Sequence, residues 1–332
     1  MKKLNKGLFA LLLAFNIAGA AAFVTMAAQE TPVIQPLPGS LSAEIGTWGS
    51  VSTPVTDSGS LFGAGRLTMF ANHETAAQSL SVIIEDGQGG QVVIDGGWTD
   101  NGEYLWNQIK QKGGHVTAWL LTHPDPDHVG VISDIIRKHK DEIKIDGIYY
   151  SLAEDAWYQQ KDPNVFPMVT LLRGVLALMP AETLHNGTPA GEVIHAGPVS
   201  IQVLNNSYRL DQNPTNNSTV AYLVSLNGTN VVTLGDMGAE AGEHFRQDCN
   251  LGALDCDIVT MAHHGQDGVG YEVYKALKPE TCLWPTPGWL WDNDNGGGPG
   301  SGPWKTMETR KWMGGLGIKT NYCAKDGDQV IE

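Results

Sequence analysis

Beyond position 28 the 332-residue sequence has no apolar run long enough to span a bilayer, no C-x-x-C pair and no repeat of fixed short period. The first absence excludes further helical membrane spans, which need about 20 consecutive apolar residues. The second argues against a zinc site built from cysteines, and the third against a solenoid. Basic residues are scarce: 21 Lys and Arg stand against 36 Asp and Glu, for a formal charge of −15. Nonspecific nucleic-acid binding relies on Lys and Arg to neutralise phosphates, so nucleic acid is a disfavoured partner.

What is present begins with a leader-like segment. Met1-Lys2-Lys3-Leu4-Asn5-Lys6 is basic, Gly7 to Phe23 is apolar, and Ala27-Ala28 is a small-residue end. This pattern reads as a secretory signal peptide over residues 1–28 and implies a secreted or periplasmic chain; the competing reading is an uncleaved membrane anchor. Its loss would remove Lys2, Lys3 and Lys6 and no acid, moving the charge from −15 to −18. No other stable membrane partner is expected. In an exported chain the even count of four cysteines favours bridges. Cys249 and Cys256 bracket a short loop, while Cys282 and Cys323 lie in strand-like runs, so the expected pairs are 249–256 and 282–323.

Residues 29–65, rich in Pro, Ser, Thr and Gly, read as a linker or surface-wrapping extension. Residues 66–332 form one expected domain, with 42% hydrophobic content over the whole chain to supply its core. Its first half alternates strand and helix: a hairpin to Gln91–Asp95, a helix from Gly102, a strand at Ala118–Leu121, a helix begun near His128 and a strand at Ile145–Tyr150. That is the pattern of parallel strands with helical crossovers. The second half adds strands over 193–204, 220–226 and 231–234, where Asn227-Gly228 marks a hairpin. Strands at 257–261, 281–284 and 318–323 then alternate with helices.

The stretch Leu120-Leu121-Thr122-His123-Pro124-Asp125-Pro126-Asp127-His128 places four potential metal ligands within six residues, directly after a buried strand. The prolines favour a tight extended loop, with His123, Asp125 and Asp127 on one side and His128 opening the next helix. A metal site needs partners from elsewhere. Asp236 follows Leu234-Gly235 at the end of one apolar strand, and His263-His264-Gly265 follows the next. Carboxylates can bridge two cations, and neutral imidazole is a common transition-metal ligand.

These residues, with Asp95-Gly96-Gly97 and Asn217-Ser218, resemble the metallo-β-lactamase superfamily. Asp125 stands where the usual H-x-H-x-D-H loop has its second histidine, a mark of the hydrolase domain of ComEC-type competence proteins and their stand-alone relatives. The resemblance covers about residues 66–332. It implies an α/β fold, an αββα sandwich of two mixed β-sheets packed face to face with helices outside. It also implies hydrolysis by metal-activated water. Carried over, His123 and Asp125 would hold one metal and Asp127, His128 and His263 the other, with Asp236 bridging. Asp127 and His264 would be the catalytic pair, His264 either supporting a ligand from behind or donating a proton; which of His263 and His264 binds the metal stays open in the sequence. Asn217-Ser218 matches the place where many members supply a further histidine. Asp95 would orient a ligand rather than bind metal. The glycine-rich run near the first hairpin and the late His-Pro of the ComEC-like pattern are missing, and no transport channel is attached.

The implied cofactors are two divalent ions. Three aspartates and three histidines form a harder set than imidazole alone, so Mn or Fe competes better with Zn. Such a centre suits a phosphoester or phosphodiester, with ester, lactone or β-lactam hydrolysis on the same fold, or a non-catalytic secreted binding protein, as alternatives. The segment Trp284 to Trp304 offers Trp289 and Trp291 as a stacking surface for a small-molecule or cell-surface phosphoester, and Asp292 and Asp294 suit a cationic head group. The opposing reading packs these tryptophans over the core.

Overall fold

A computed structural model describes residues 60–332; the signal-peptide reading and most of the expected linker lie outside them. The chain builds two sheets in succession. The first takes β1 (Arg66–Met69), β2 (Ser81–Glu85), β3 (Gln91–Asp95), β4 (His115–Leu120), β5 (Lys144–Ile145), β6 (Ile148–Tyr150) and β7 (Leu184–Asn186). The second takes β8 (Val193–Ala196), β9 (Val199–Val203), β10 (Tyr222–Leu226), β11 (Thr229–Thr233), β12 (Ile258–Thr260), β13 (Thr281–Trp284) and β14 (Thr320–Cys323). A last strand, β15 (Gln329–Ile331), returns to the first sheet beside β1. The first sheet runs β15-β1-β2-β3-β4-β6-β7, with β5 also on β4, and the second β14-β13-β12-β11-β10-β9-β8.

Period-two alternation assigns the side chains to layers. On β3 and β4, Val92, Ile94, Ala118 and Leu120 point between the sheets, against Ile201, Val203, Val224 and Val231. Their neighbours Val93 and Trp119 point the other way, under helices α1 (Gly102–Gln111), α2 (Pro126–His139), α3 (Asp155–Lys161) and α4 (Phe166–Leu176). On the far face Val232, Val259 and Cys282 pack beneath α6 (Ala239–Asp248), α7 (Tyr271–Leu277) and α9 (Thr306–Gly315). Two short helices, α5 (Pro214–Asn217) and α8 (Gly288–Trp291), lie in the connections after β9 and β13. The result is the αββα sandwich with mixed sheets.

Three expectations need correction. Phe62, assigned to the linker, is fully buried in the inter-sheet core, and Asn227 Nδ2 donates to its carbonyl. The ligand loop does not stay extended through Asp127. Pro126 occupies the first turn of α2, where a missing amide hydrogen costs nothing, so Asp127 and His128 are helical. All four cysteines are free thiols. Cys282 lies opposite Asn321, and Cys323 opposite Trp284, so the expected 282–323 pair is a two-residue diagonal across neighbouring strands. Such diagonals run to ~7–8 Å, beyond the usual disulfide span. The expected 249–256 bridge is absent as well: Cys256 Sγ turns inward to the carbonyl of Ile258, while Cys249 ends α6 half-buried.

Strand direction decides where the site lies. β3, β4 and β6 run parallel, so Asp95, Leu121 onward and Ser151 onward emerge at one edge. Tyr222 pairs with both Val203 and Thr233, which brings the β9–β10 connection and the turn after β11 to a single edge of the second sheet. β12 and β13 run parallel to β11 and open there too. Val220 N–H donating to Thr122 O joins the two edges.

Candidate metal centre

Asp127, His128, Asp236 and His264 are buried, and one ligand atom from each lies within 4.8 Å of the others. His128 Nε2 is 3.2 Å from Asp236 Oδ1. His264 Nε2 is 3.1 Å from Asp127 Oδ2 and 3.2 Å from Asp236 Oδ2. His123 and Asp125 complete the loop's contribution: His123 Nε2 is 3.3 Å from Asp125 Oδ2 and 4.0 Å from Asp236 Oδ2.

Each imidazole is oriented through its other nitrogen. His128 Nδ1 donates to Asp95 Oδ2 at 2.7 Å, and Asp95 also accepts from the N–H and hydroxyl of Thr122. With that hydroxyl hydrogen committed to Asp95, the Thr122 oxygen accepts from His123 Nδ1 at 3.1 Å. His264 Nδ1 donates to Pro285 O at 3.0 Å. Three Nε2 lone pairs therefore face Asp236, and all three atoms are buried without a hydrogen-bond partner, as are Asp125 Oδ1 and Asp236 Oδ1. Unpaired buried polar atoms are costly, and cations are the partners this donor set accepts. The residues present fit a divalent metal centre.

The charges interlock. Burial opposes ionisation of Asp236, yet His128, His264 and His263 around it hold its pKa well below the usual carboxylate range. Asp127 is lowered against its own burial by His128 and His264. His264 is pushed up to about 9 despite burial, by Asp236 and Asp127. His128 is likewise raised well above its ordinary value against burial, by Asp236, Asp95 and Asp127. Protons here occupy the positions that cations would take.

The backbone explains which histidine enters. His263, His264 and Gly265 adopt φ of 50°, 55° and 80° in succession, a left-handed run that costs free energy at the two histidines. It turns His264 inward, with its side chain fully buried, and leaves His263 at the rim with its side chain 19% exposed. Of the two histidines left open by the sequence, His264 rather than His263 faces Asp127 and Asp236. His263 Nε2 is 3.8 Å from Asp236 and 3.3 Å from Asn216 Nδ2. Asn216 was not anticipated: it is buried, and its Oδ1 has no partner. The adjacent Asn217, at the place of the family's further histidine, instead accepts from Gly238 N–H and donates to Gln212 O. Gly235, at φ 47°, is required by proximity, since a Cβ there would lie 2.7 Å from Thr122 Oγ1.

The tryptophan segment divides. Trp284 and Trp291 are buried edge to face at 5.2 Å, and Arg310 and Lys325 already lie over the Trp291 ring. Trp291 is therefore not a stacking surface for substrate. Asp294 Oδ1 accepts from Gly296 N–H, Gly298 N–H and the Ser301 hydroxyl, which holds that carboxylate in its own loop. Trp289 and Trp304 remain half-buried, edge to face at 4.7 Å.

Residues 75–203 match the family model for the metallo-beta-lactamase superfamily. That match covers most of the first sheet and the start of the second, and the two-sheet sandwich agrees with it over the described residues. Among solved structures, this chain is similar to the metallo-beta-lactamase fold protein YhfI from Bacillus subtilis, at 13% identity and a TM-score of 0.50, over 81% of this chain and 99% of that one. It is also similar to unliganded yeast PDE1, at 10% identity and a TM-score of 0.49, over 81% and 99% of the two chains. At 13% identity the likeness to YhfI speaks for the fold alone. A search of curated proteins finds no match.

Proposed function

We propose that this chain is a member of the metallo-beta-lactamase superfamily and an exported hydrolase of phosphoesters that uses two divalent ions. The observation carrying this reading is the set of three buried, unpartnered Nε2 atoms directed at Asp236, each held in one tautomer by a different neighbour. Asp127, His128, His264 and Asp236 would hold one ion, and His123, Asp125 and the shared Asp236 the other. The ions would supply a water of lowered pKa and a clamp on a substrate oxygen. The protein's own part is orientation: Asp95, Thr122 and Pro285 fix the rings, and Asp236 turns Oδ1 toward His128 and Oδ2 toward His264 and His123. His263 and Asn216 border the open side, where a substrate oxygen would arrive. The balance of three aspartates and three histidines supports Mn or Fe beside Zn, and the leader-like sequence supports export.

The test is hydrolysis of bis-p-nitrophenyl phosphate by protein loaded with Zn, Mn or Fe, its metal content measured in parallel. Absence of turnover with two ions bound would refute the phosphoester reading. Turnover of nitrocefin instead would move the substrate class to β-lactams.

A further inference from the structure

Beside the ligand cluster a groove of about 210 Å³ opens between Ala71–Ser79 and Pro285–Gly288, with Ala324 and Lys325 completing its wall. The topology puts it at the site's edge. Ser81 pairs with Asp95 and Met69 with Val82, so the β1–β2 connection emerges next to Asp95. β13 and β14 run parallel to β12, whose end carries His263 and His264. Two hydrogen bonds join groove and cluster directly. Pro285 O receives His264 Nδ1, and Leu80 N–H, next to Ser79, donates to Asp127 O at 3.3 Å.

The lining selects a class of ligand. Ala76, Ala77, Pro285, Pro287 and Gly288 present small apolar surface, and no carboxylate lines the groove. The polar groups are largely committed. Asn72 Oδ1 accepts from the N–H groups of Glu74 and Thr75, Asn72 Nδ2 donates to Thr75 Oγ1, and Lys325 Nζ lies 2.6 Å from Asp326. A cation finds no partner there, whereas an uncharged ring finds matching surface. The volume is below the ~300–1,000 Å³ of pockets that enclose drug-sized ligands, which limits the occupant to one ring. Trp289 Nε1 donates to Ala76 O at 2.6 Å, tying the two walls together and placing an indole beside the groove.

We propose that this groove seats the uncharged organic group of the substrate, about one ring in size, while the phosphoryl group lies against the metal centre. The assignment rests on the phosphoester reading, and the experiment separates the two. Calorimetry of the metal-loaded full-length protein with phenylphosphonate and methylphosphonate compares ligands that differ only in the ring. The phenyl compound is expected to bind roughly tenfold tighter or better, from burial of the ring, and to change Trp289 fluorescence. Ala77→Trp fills the groove, and Gly288→Leu projects into it from a position where a Cβ meets nothing within 4 Å. Neither residue touches the ligand cluster. Both variants should bring the phenyl-to-methyl ratio to about one with methylphosphonate affinity unchanged. Equal binding of the two compounds by the parent protein, or a phenyl preference that survives in both variants, overturns the groove and leaves the phosphoester reading standing. Failure of both compounds to bind overturns that reading and the groove with it.

Discussion

Asp95 Oδ2 accepts a 2.7 Å hydrogen bond from His128 Nδ1, both side chains are fully buried, and Asp95 sits at φ 53° to make it. The carboxylate fixes the tautomer that leaves Nε2 facing Asp236, and its charge raises the basicity of the ring. Asp95→Asn is the informative change, because asparagine tolerates the left-handed backbone. Metal affinity, measured by competition with a chromophoric chelator, should fall roughly 10–100-fold while the circular dichroism spectrum stays that of the parent.

His264 and His263 are neighbours in sequence with opposite placements. His264→Ala removes a buried ligand atom and should lower bound metal by about one ion per chain. His263→Ala should keep the metal content and lower kcat/KM about tenfold or more, about 1.4 kcal/mol of lost transition-state contact. Elemental analysis and steady-state kinetics of the two variants check this. The opposite pattern would restore His263 as the ligand.

The pH dependence of the metal-free protein follows from the same cluster. His264 has its folded pKa raised from 6.5 to about 9, so its stabilising contribution is complete below 6.5 and is lost as pH rises through 9. Asp236 has its pKa depressed from 3.8, so its contribution is present above that value and is lost as pH falls below it. The Tm of chelator-treated protein should therefore decline between pH 6.5 and 9, and again in acid. With metal bound the alkaline decline should vanish, because the ions replace the protons. Differential scanning calorimetry with and without metal measures both; identical alkaline slopes would contradict it.

Gly235→Ala probes a close backbone approach in the site. The new methyl would meet the Thr122 side chain at 2.7 Å and Thr219 Cγ2 at 2.9 Å, at a φ of 47° that alanine disfavours. A loss of about 1–3 kcal/mol by urea unfolding is expected, with weaker metal binding, since Thr122 orients His123.

The sequence by itself determined the layers and most of the site. Alternation on Val92–Val93–Ile94 and Ala118–Trp119–Leu120 assigns residues to two faces because side-chain direction in a strand is a local property. The crowding of His123, Asp125, Asp127 and His128 behind a buried strand, with Asp236 and the paired histidines behind two others, is legible for the same reason. Only the tertiary structure decided which residue of each close pair faces inward. The left-handed run at His263, His264 and Gly265 and the helical start at Pro126 are backbone choices made against surrounding packing, and no periodicity encodes them. Likewise Trp291 is buried beneath Arg310, the cysteines remain thiols and Asn216 meets His263 because of register and loop closure between segments far apart in the chain. Contacts of that range depend on where strands end in space, and so they exist only once the two sheets have packed.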